Sequence, residues 1–73
     1  MKKDYSELQQ KFGNHLKTIR EKQNISLREL AAKCDLDHSK IGKIENGQTN
    51  LQLSTIFELA KGLGINPKEL IDF

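Results

Sequence analysis

The residues best equipped for chemistry cluster at Cys34-Asp35-Leu36-Asp37-His38, with Ser39, Lys40 and Lys43 close behind. A thiol, two carboxylates and an imidazole within so short a span could in principle hold a metal or form a nucleophile–base pair. A structural zinc site normally takes four ligands, and the chain has one cysteine and two histidines. Cys34 closes an apolar helix face and is expected to point inward, whereas His38 opens a polar one and points outward, so the two diverge. No metal, no cofactor and no catalytic residue is therefore expected, and the chain reads as a non-enzyme. His15, beside Leu16, reads as a surface residue. What remains is a polar set, His38, Ser39, Lys40 and Lys43, arranged around Gly42 in a stretch anchored by Ile41 and Ile44. Glycine inside a helix costs roughly 1 kcal/mol relative to alanine, so this short segment tolerates a weak point and bares its polar side chains.

The elements that must carry this set are helices. Apolar residues recur at helical spacing, with no period-2 alternation to suggest a strand. Asp4-Tyr5-Ser6-Glu7 has the form of a capping box, and Leu8, Phe12, Leu16 and Ile19 extend from it as a stripe, which predicts a first helix over about residues 5–23. Ser26-Leu27-Arg28-Glu29 is a second capping box, opening a helix buried through Leu27, Leu30, Ala31 and Cys34. Asp37 caps a third, with Ile41 and Ile44 inward and Asn46-Gly47 as its stop. Ser54 is expected to cap a fourth, with Ile56, Phe57, Leu59, Ala60 and Leu63 apolar and Gly64 ending it. Asn66-Pro67-Lys68-Glu69 combines a cap, proline at the first helical position and glutamate at the third, and starts a short fifth helix. Helices two and three are short and joined by Asp35-Leu36-Asp37, which is the form of a helix-turn-helix unit over about residues 26–46. Ala31 is the small residue that would let the two helices approach, and Leu36 is expected to point back into the core.

Composition narrows the function classes. The 73 residues suit one small all-α domain, residues 1–73, with 1–4 expected to fray. A chain this short buries only about 60% of its unfolded surface, so the core is thin. No apolar run approaches the roughly 18 residues of a membrane helix, and Lys2 and Lys3 precede no apolar signal-like stretch. The lone cysteine suits a reducing compartment, and a cytoplasmic location is expected. Net charge is +2, from 12 Lys/Arg and 10 Asp/Glu. It is uneven: residues 1–25 hold six bases against three acids, a mildly basic region compatible with phosphate.

The run from Ser26 to Leu70, "SLRELAAKCDLDHSKIGKIENGQTNLQLSTIFELAKGLGINPKEL", resembles the lambda-repressor-like, Xre/Cro-type helix-turn-helix family. That family includes phage repressors, restriction–modification controller proteins and many antitoxins. The resemblance covers about residues 8–71. It is carried by Ser26, Glu29, Leu30 and Ala31 opening helix two, by "IENG" at 44–47 and by "LAKGLGINPKEL" at 59–70. It implies a five-helix domain whose third helix lies in the DNA major groove, with His38, Ser39, Gly42 and Lys43 facing base edges. Lysine can donate to guanine O6 and N7, serine can donate or accept, and histidine can do either. It further implies phosphate contacts from Ser26 and the N–H groups opening helix two, from Lys40, and from Asn46, Thr49 and Asn50 in the loop after helix three. Arg20 and Glu45 map onto a partly buried ion pair that links helix one to helix three, fixes the recognition helix and presents Arg20 to a phosphate. Leu27 stands where many members have glutamine, so a side-chain phosphate contact is absent there. Asp35 stands where the turn often has glycine, and would adopt the left-handed backbone aspartate tolerates.

The implied activity is that of a small dimeric transcriptional regulator, a repressor before an activator, on a palindromic double-stranded operator. The alternative is an antitoxin or protein-interaction module with a toxin as partner. The chain is expected to carry no toxin-wrapping tail after the last helix and no second domain to serve as a ligand sensor. Ile71 and Phe73, apolar at the tip of the last helix, are expected to form an isologous homodimer contact.

Overall fold

A computed structural model of the chain describes residues 5–73, which are all-helical apart from turns and loops. In order these are α1 (Ser6–Lys22), α2 (Leu27–Lys33), α3 (His38–Glu45), α4 (Leu53–Leu63) and α5 (Pro67–Leu70). The start of α2 is a closed capping box: the Ser26 hydroxyl accepts from the Glu29 N–H at 3.0 Å, and the Glu29 carboxylate accepts from the Ser26 N–H at 2.8 Å. At α5, Asn66 accepts from the Lys68 N–H at 3.0 Å and Glu69 returns to the Asn66 N–H at 3.0 Å, with Pro67 in the first turn. Asp37 caps α3 more loosely, 3.5 Å from the Ser39 N–H.

Three helices stop in one way. Asn24, Gly47 and Gly64 take φ of 58°, 72° and 68°. The N–H of the following residue then turns back to a carbonyl five positions earlier: Ile25 to Arg20, Gln48 to Lys43 and Ile65 to Ala60. That bond satisfies carbonyls the helix end would leave bare.

Several expectations need correction. Asp4 lies outside the described residues; α1 begins at Ser6, and its N-cap, Tyr5, makes no side-chain capping bond. Ser54 does not cap α4. The chain turns helical two residues sooner, once Leu51 is seated on the core, and the Gln52 carbonyl accepts from Thr55 and Ile56 at 3.0 and 3.3 Å. Leu8 begins the α1 stripe but remains 52% exposed. Asp35 needs no left-handed backbone: Asn24 is the only non-glycine with positive φ among the described residues. The α2–α3 turn instead bends through extended Cys34, at φ −138° and ψ 172°. His15 is not a plain surface residue; it is half-buried, and its Nε2–H donates to the Glu69 carbonyl at 2.7 Å, tying α1 to α5.

The core takes Phe12 and Leu16 from α1, Leu30 from α2, Ile41 and Ile44 from α3, Leu59, Ala60 and Leu63 from α4, and Leu70 from α5. Ala31, Cys34 and Leu36 pack half-buried against it around the turn. Each large side chain so buried contributes about 1.5–3 kcal/mol. Gly62 lets α4 close on α2, since a Cβ there would sit 2.9 Å from Leu30 Cδ1. The result is a helix-turn-helix with α3 held from behind by α1 and α2.

Candidate nucleic-acid interface

Residue by residue, α3 divides into two faces. Ile41, Ile44 and Glu45 are buried. Ser39, Lys40 and Lys43 are exposed, and His38 and Gly42 are half-buried. Ser39 and Lys43 are four apart, as are His38 and Gly42, so each pair shares a surface row. The set picked out by sequence is thus brought together on one exposed side of one helix. His38 Nδ1 lies 3.4 Å from the Asp37 carboxylate, which orients the ring at the helix start. At Gly42 a Cβ would meet only Leu27 Cδ1, at 3.7 Å. The protein itself leaves room for a methyl group there.

Behind α3 stands the Arg20–Glu45 pair. Arg20 Nε donates to Glu45 Oε2 at 2.7 Å, Nη2 to Oε1 at 3.0 Å, and Nη1 to the Ile25 carbonyl at 2.8 Å. The hydrogen bond to Glu45 raises the guanidinium pKa further, against the opposing pull of burial. With Arg20 only 9% exposed, most of its donors are turned inward.

The other expected phosphate contacts are less uniform. Lys40, Asn46 and Asn50 are exposed. Thr49 is half-buried and donates to the Asn50 carbonyl at 3.2 Å. Asn46 is the C-cap of α3. At the start of α2 the Glu29 carboxylate already takes the Ser26 N–H, which places an acid where an anion would otherwise approach. Cys34 donates to the Leu30 carbonyl at 3.2 Å, and burial pushes its thiol pKa up. It is a packing residue without the thiolate character that reactivity requires.

Two α1 residues that no local sequence signal marked also reach this region. Gln9 Nε2 donates to Asn50 Oδ1 across 41 positions, and Gly13 lies against the end of α3. Only packing joins them to the site, so a sequence pattern could not have found them.

The six large exposed hydrophobics among the described residues, Tyr5, Leu8, Leu53, Phe57, Ile71 and Phe73, line two adjoining grooves of about 390 and 320 Å³ that share Ile56 and Ile71. Phe73 is not free in solvent: its ring meets Phe12 edge-on at 6.4 Å and lies 5.8 Å from His15. Among the described residues, no helix is long and apolar enough to cross a membrane.

Comparison with known proteins gives one family. The helix-turn-helix family model HTH_3 matches residues 16–70. The chain is 43% identical over 63 residues to control protein C.BamHI of Bacillus amyloliquefaciens, spanning 85% of this chain and 78% of that one. Its fold is similar to the restriction–modification controller protein C.AhdI from Aeromonas hydrophila, with TM-score 0.88 and 38% identity over 93% of this chain and 99% of that one. It is also similar to the restriction–modification controller protein C.Esp1396I, solved as a tetramer in complex with its natural 35 base-pair operator. There the TM-score is 0.77 and the identity 27%, over 89% and 96% of the two chains.

Proposed function

The chain belongs to the HTH_3 helix-turn-helix family, and on that premise we propose that it is a small dimeric transcriptional regulator. It binds a palindromic double-stranded operator with α3 in the major groove. The observation that carries this reading is the two-faced α3: Ser39, Lys40 and Lys43 outward, Ile41 and Ile44 buried. Lys43 and Ser39 meet base edges, His38 reads beside them, and Gly42 allows close approach. Lys40, Asn46, Thr49 and Asn50 hold the backbone, which fixes register without reading sequence. Ser26 is a weaker phosphate contact because Glu29 shares its position. Arg20 acts first as a brace for α3 through Glu45, with any phosphate contact secondary.

Similarity to C.BamHI and C.AhdI supports control of a restriction–modification operon over the antitoxin reading. A body lying across the groove at a promoter blocks polymerase, so repression is the primary mode. The site of action is the cytoplasm, where the DNA is and where a lone thiol stays reduced. The apolar face around Ile71 and Phe73 joins two protomers about a two-fold axis, placing their α3 helices about 34–36 Å apart on one side of the duplex.

A mobility-shift titration tests this. The probe is a duplex selected by the protein from a random-sequence pool, assayed across a salt series. The expected result is a palindromic site whose affinity falls steeply with salt, as counterions are released. Failure to select or retain any duplex at low salt would overturn the reading.

A further inference from the structure

Gly13 lies mid-helix, where glycine is costly, and its φ is not positive, so backbone conformation does not require it. Close approach does. A Cβ at Gly13 would lie 2.4 Å from the Ile44 carbonyl oxygen and 2.5 Å from that of Glu45. Both are backbone atoms at the end of α3, and neither can swing aside as a side-chain tip could. One turn earlier on the same face of α1, Gln9 donates to Asn50. Its neighbour Gln10 packs on Gly47, where a Cβ would sit 3.0 Å from Gln10 Cα. Two turns later Arg20 holds Glu45. One face of α1 therefore touches the last turn of α3 and the loop after it at successive points.

We propose that Gln9 and Gly13 are positioning residues for DNA binding. Gly13 sets how closely the end of α3 seats on α1, and hence where Lys43 and Asn46 meet the duplex. Gln9 holds the Asn50 side chain in place for the phosphate backbone. This inference rests on the DNA-binding reading above.

The test uses the duplex that the wild-type protein selects from a random pool, with an unrelated duplex of equal length as reference. Gln9→Ala removes one hydrogen bond at the surface. It should lower affinity about fivefold, the size of one such bond, and leave the salt slope unchanged, because a neutral amide displaces no counterion. In an Asn50→Ala background Gln9→Ala should cost nothing further, because the two act through one contact. Additive losses, or wild-type affinity for Gln9→Ala, would overturn the role of Gln9. Gly13→Ala should lower affinity for the selected duplex about tenfold or more, on the scale of a lost base contact, and affinity for the unrelated duplex much less. Equal losses on both would show simple destabilisation and overturn the role of Gly13. A Gly13→Ala protein that fails to fold would make Gly13 a folding residue and overturn its positioning role, leaving Gln9 to be decided by the Asn50 cycle. A wild-type protein that selects no duplex removes the DNA-binding reading and this inference with it. Wild-type binding with indifferent variants removes this inference alone.

Discussion

Arg20 and Glu45 illustrate how a buried ion pair can fix geometry while adding little net stability. Taking both charges out of water costs about what their attraction returns. The pair is nevertheless bidentate, and a third guanidinium bond goes to Ile25, so its geometry is fixed. Glu45→Ala would strand a buried guanidinium, and chemical denaturation should show a loss of about 3–5 kcal/mol. Replacing both partners with apolar residues, Arg20→Met with Glu45→Leu, should restore most of that stability. The same double variant should still bind its duplex more weakly than wild type, because α3 has lost its orienting contact. Gly42 separates stability from binding in the opposite sense. Its missing Cβ would meet only ordinary contact with Leu27, so Gly42→Ala should stabilise α3 by up to about 1 kcal/mol. Operator affinity should fall nonetheless, because the obstructed partner is DNA. Unchanged affinity in a mobility shift would reduce Gly42 to an ordinary surface position.

At the scale of elements, the helix-turn-helix depends on α2 starting in the right place, and that start is sensitive to pH. The Glu29 carboxyl lies below its ordinary 4.5, chiefly because the Ser26 N–H donates to it. A carboxylate held low in the fold contributes stability above its unfolded pKa and loses it as pH falls through the folded value. Melting curves should therefore show Tm declining with acid below about 4.5, and Glu29→Gln should flatten that part of the decline. Ser26→Ala should cost about 1 kcal/mol at neutral pH through the lost cap. These caps are also why so much of the fold was legible in the sequence. Ser26–Glu29 and Asn66–Glu69 bond within a single turn, so residue types three apart suffice to announce them. The start of α4 was misplaced because Leu51, seated on the core, decides where that helix begins, and Ser54 only looks like a cap. The polar face of α3 was legible because its spacing is local. The bonds from Gln9 to Asn50 and His15 to Glu69 join positions far apart in sequence, so only the folded chain reveals them.

The whole molecule presents the polar side of α3 and an apolar side, and the second is the proposed association surface. An apolar face carrying Tyr5, Leu8, Leu53, Phe57, Ile71 and Phe73 is a large exposure for so small a chain, and patches of this kind mark association surfaces. Ile71 and Phe73 differ as probes of it. Phe73 is 51% exposed but braces its own protomer through Phe12 and His15. Phe73→Glu should therefore weaken the monomer and the dimer together. Ile71 is 56% exposed and lies where the two grooves meet, so Ile71→Glu should disrupt association while leaving the helical circular dichroism intact. Sedimentation should then show a monomer. Its Tm should no longer rise with protein concentration, as mass action makes it do for a dimer. Operator binding should weaken too, because each half-site now binds its protomer independently and the gain in effective concentration is lost. An Ile71→Glu protein that still sediments as a dimer would place the interface elsewhere on the surface, and the spacing of the two recognition helices would then have to follow from that other contact.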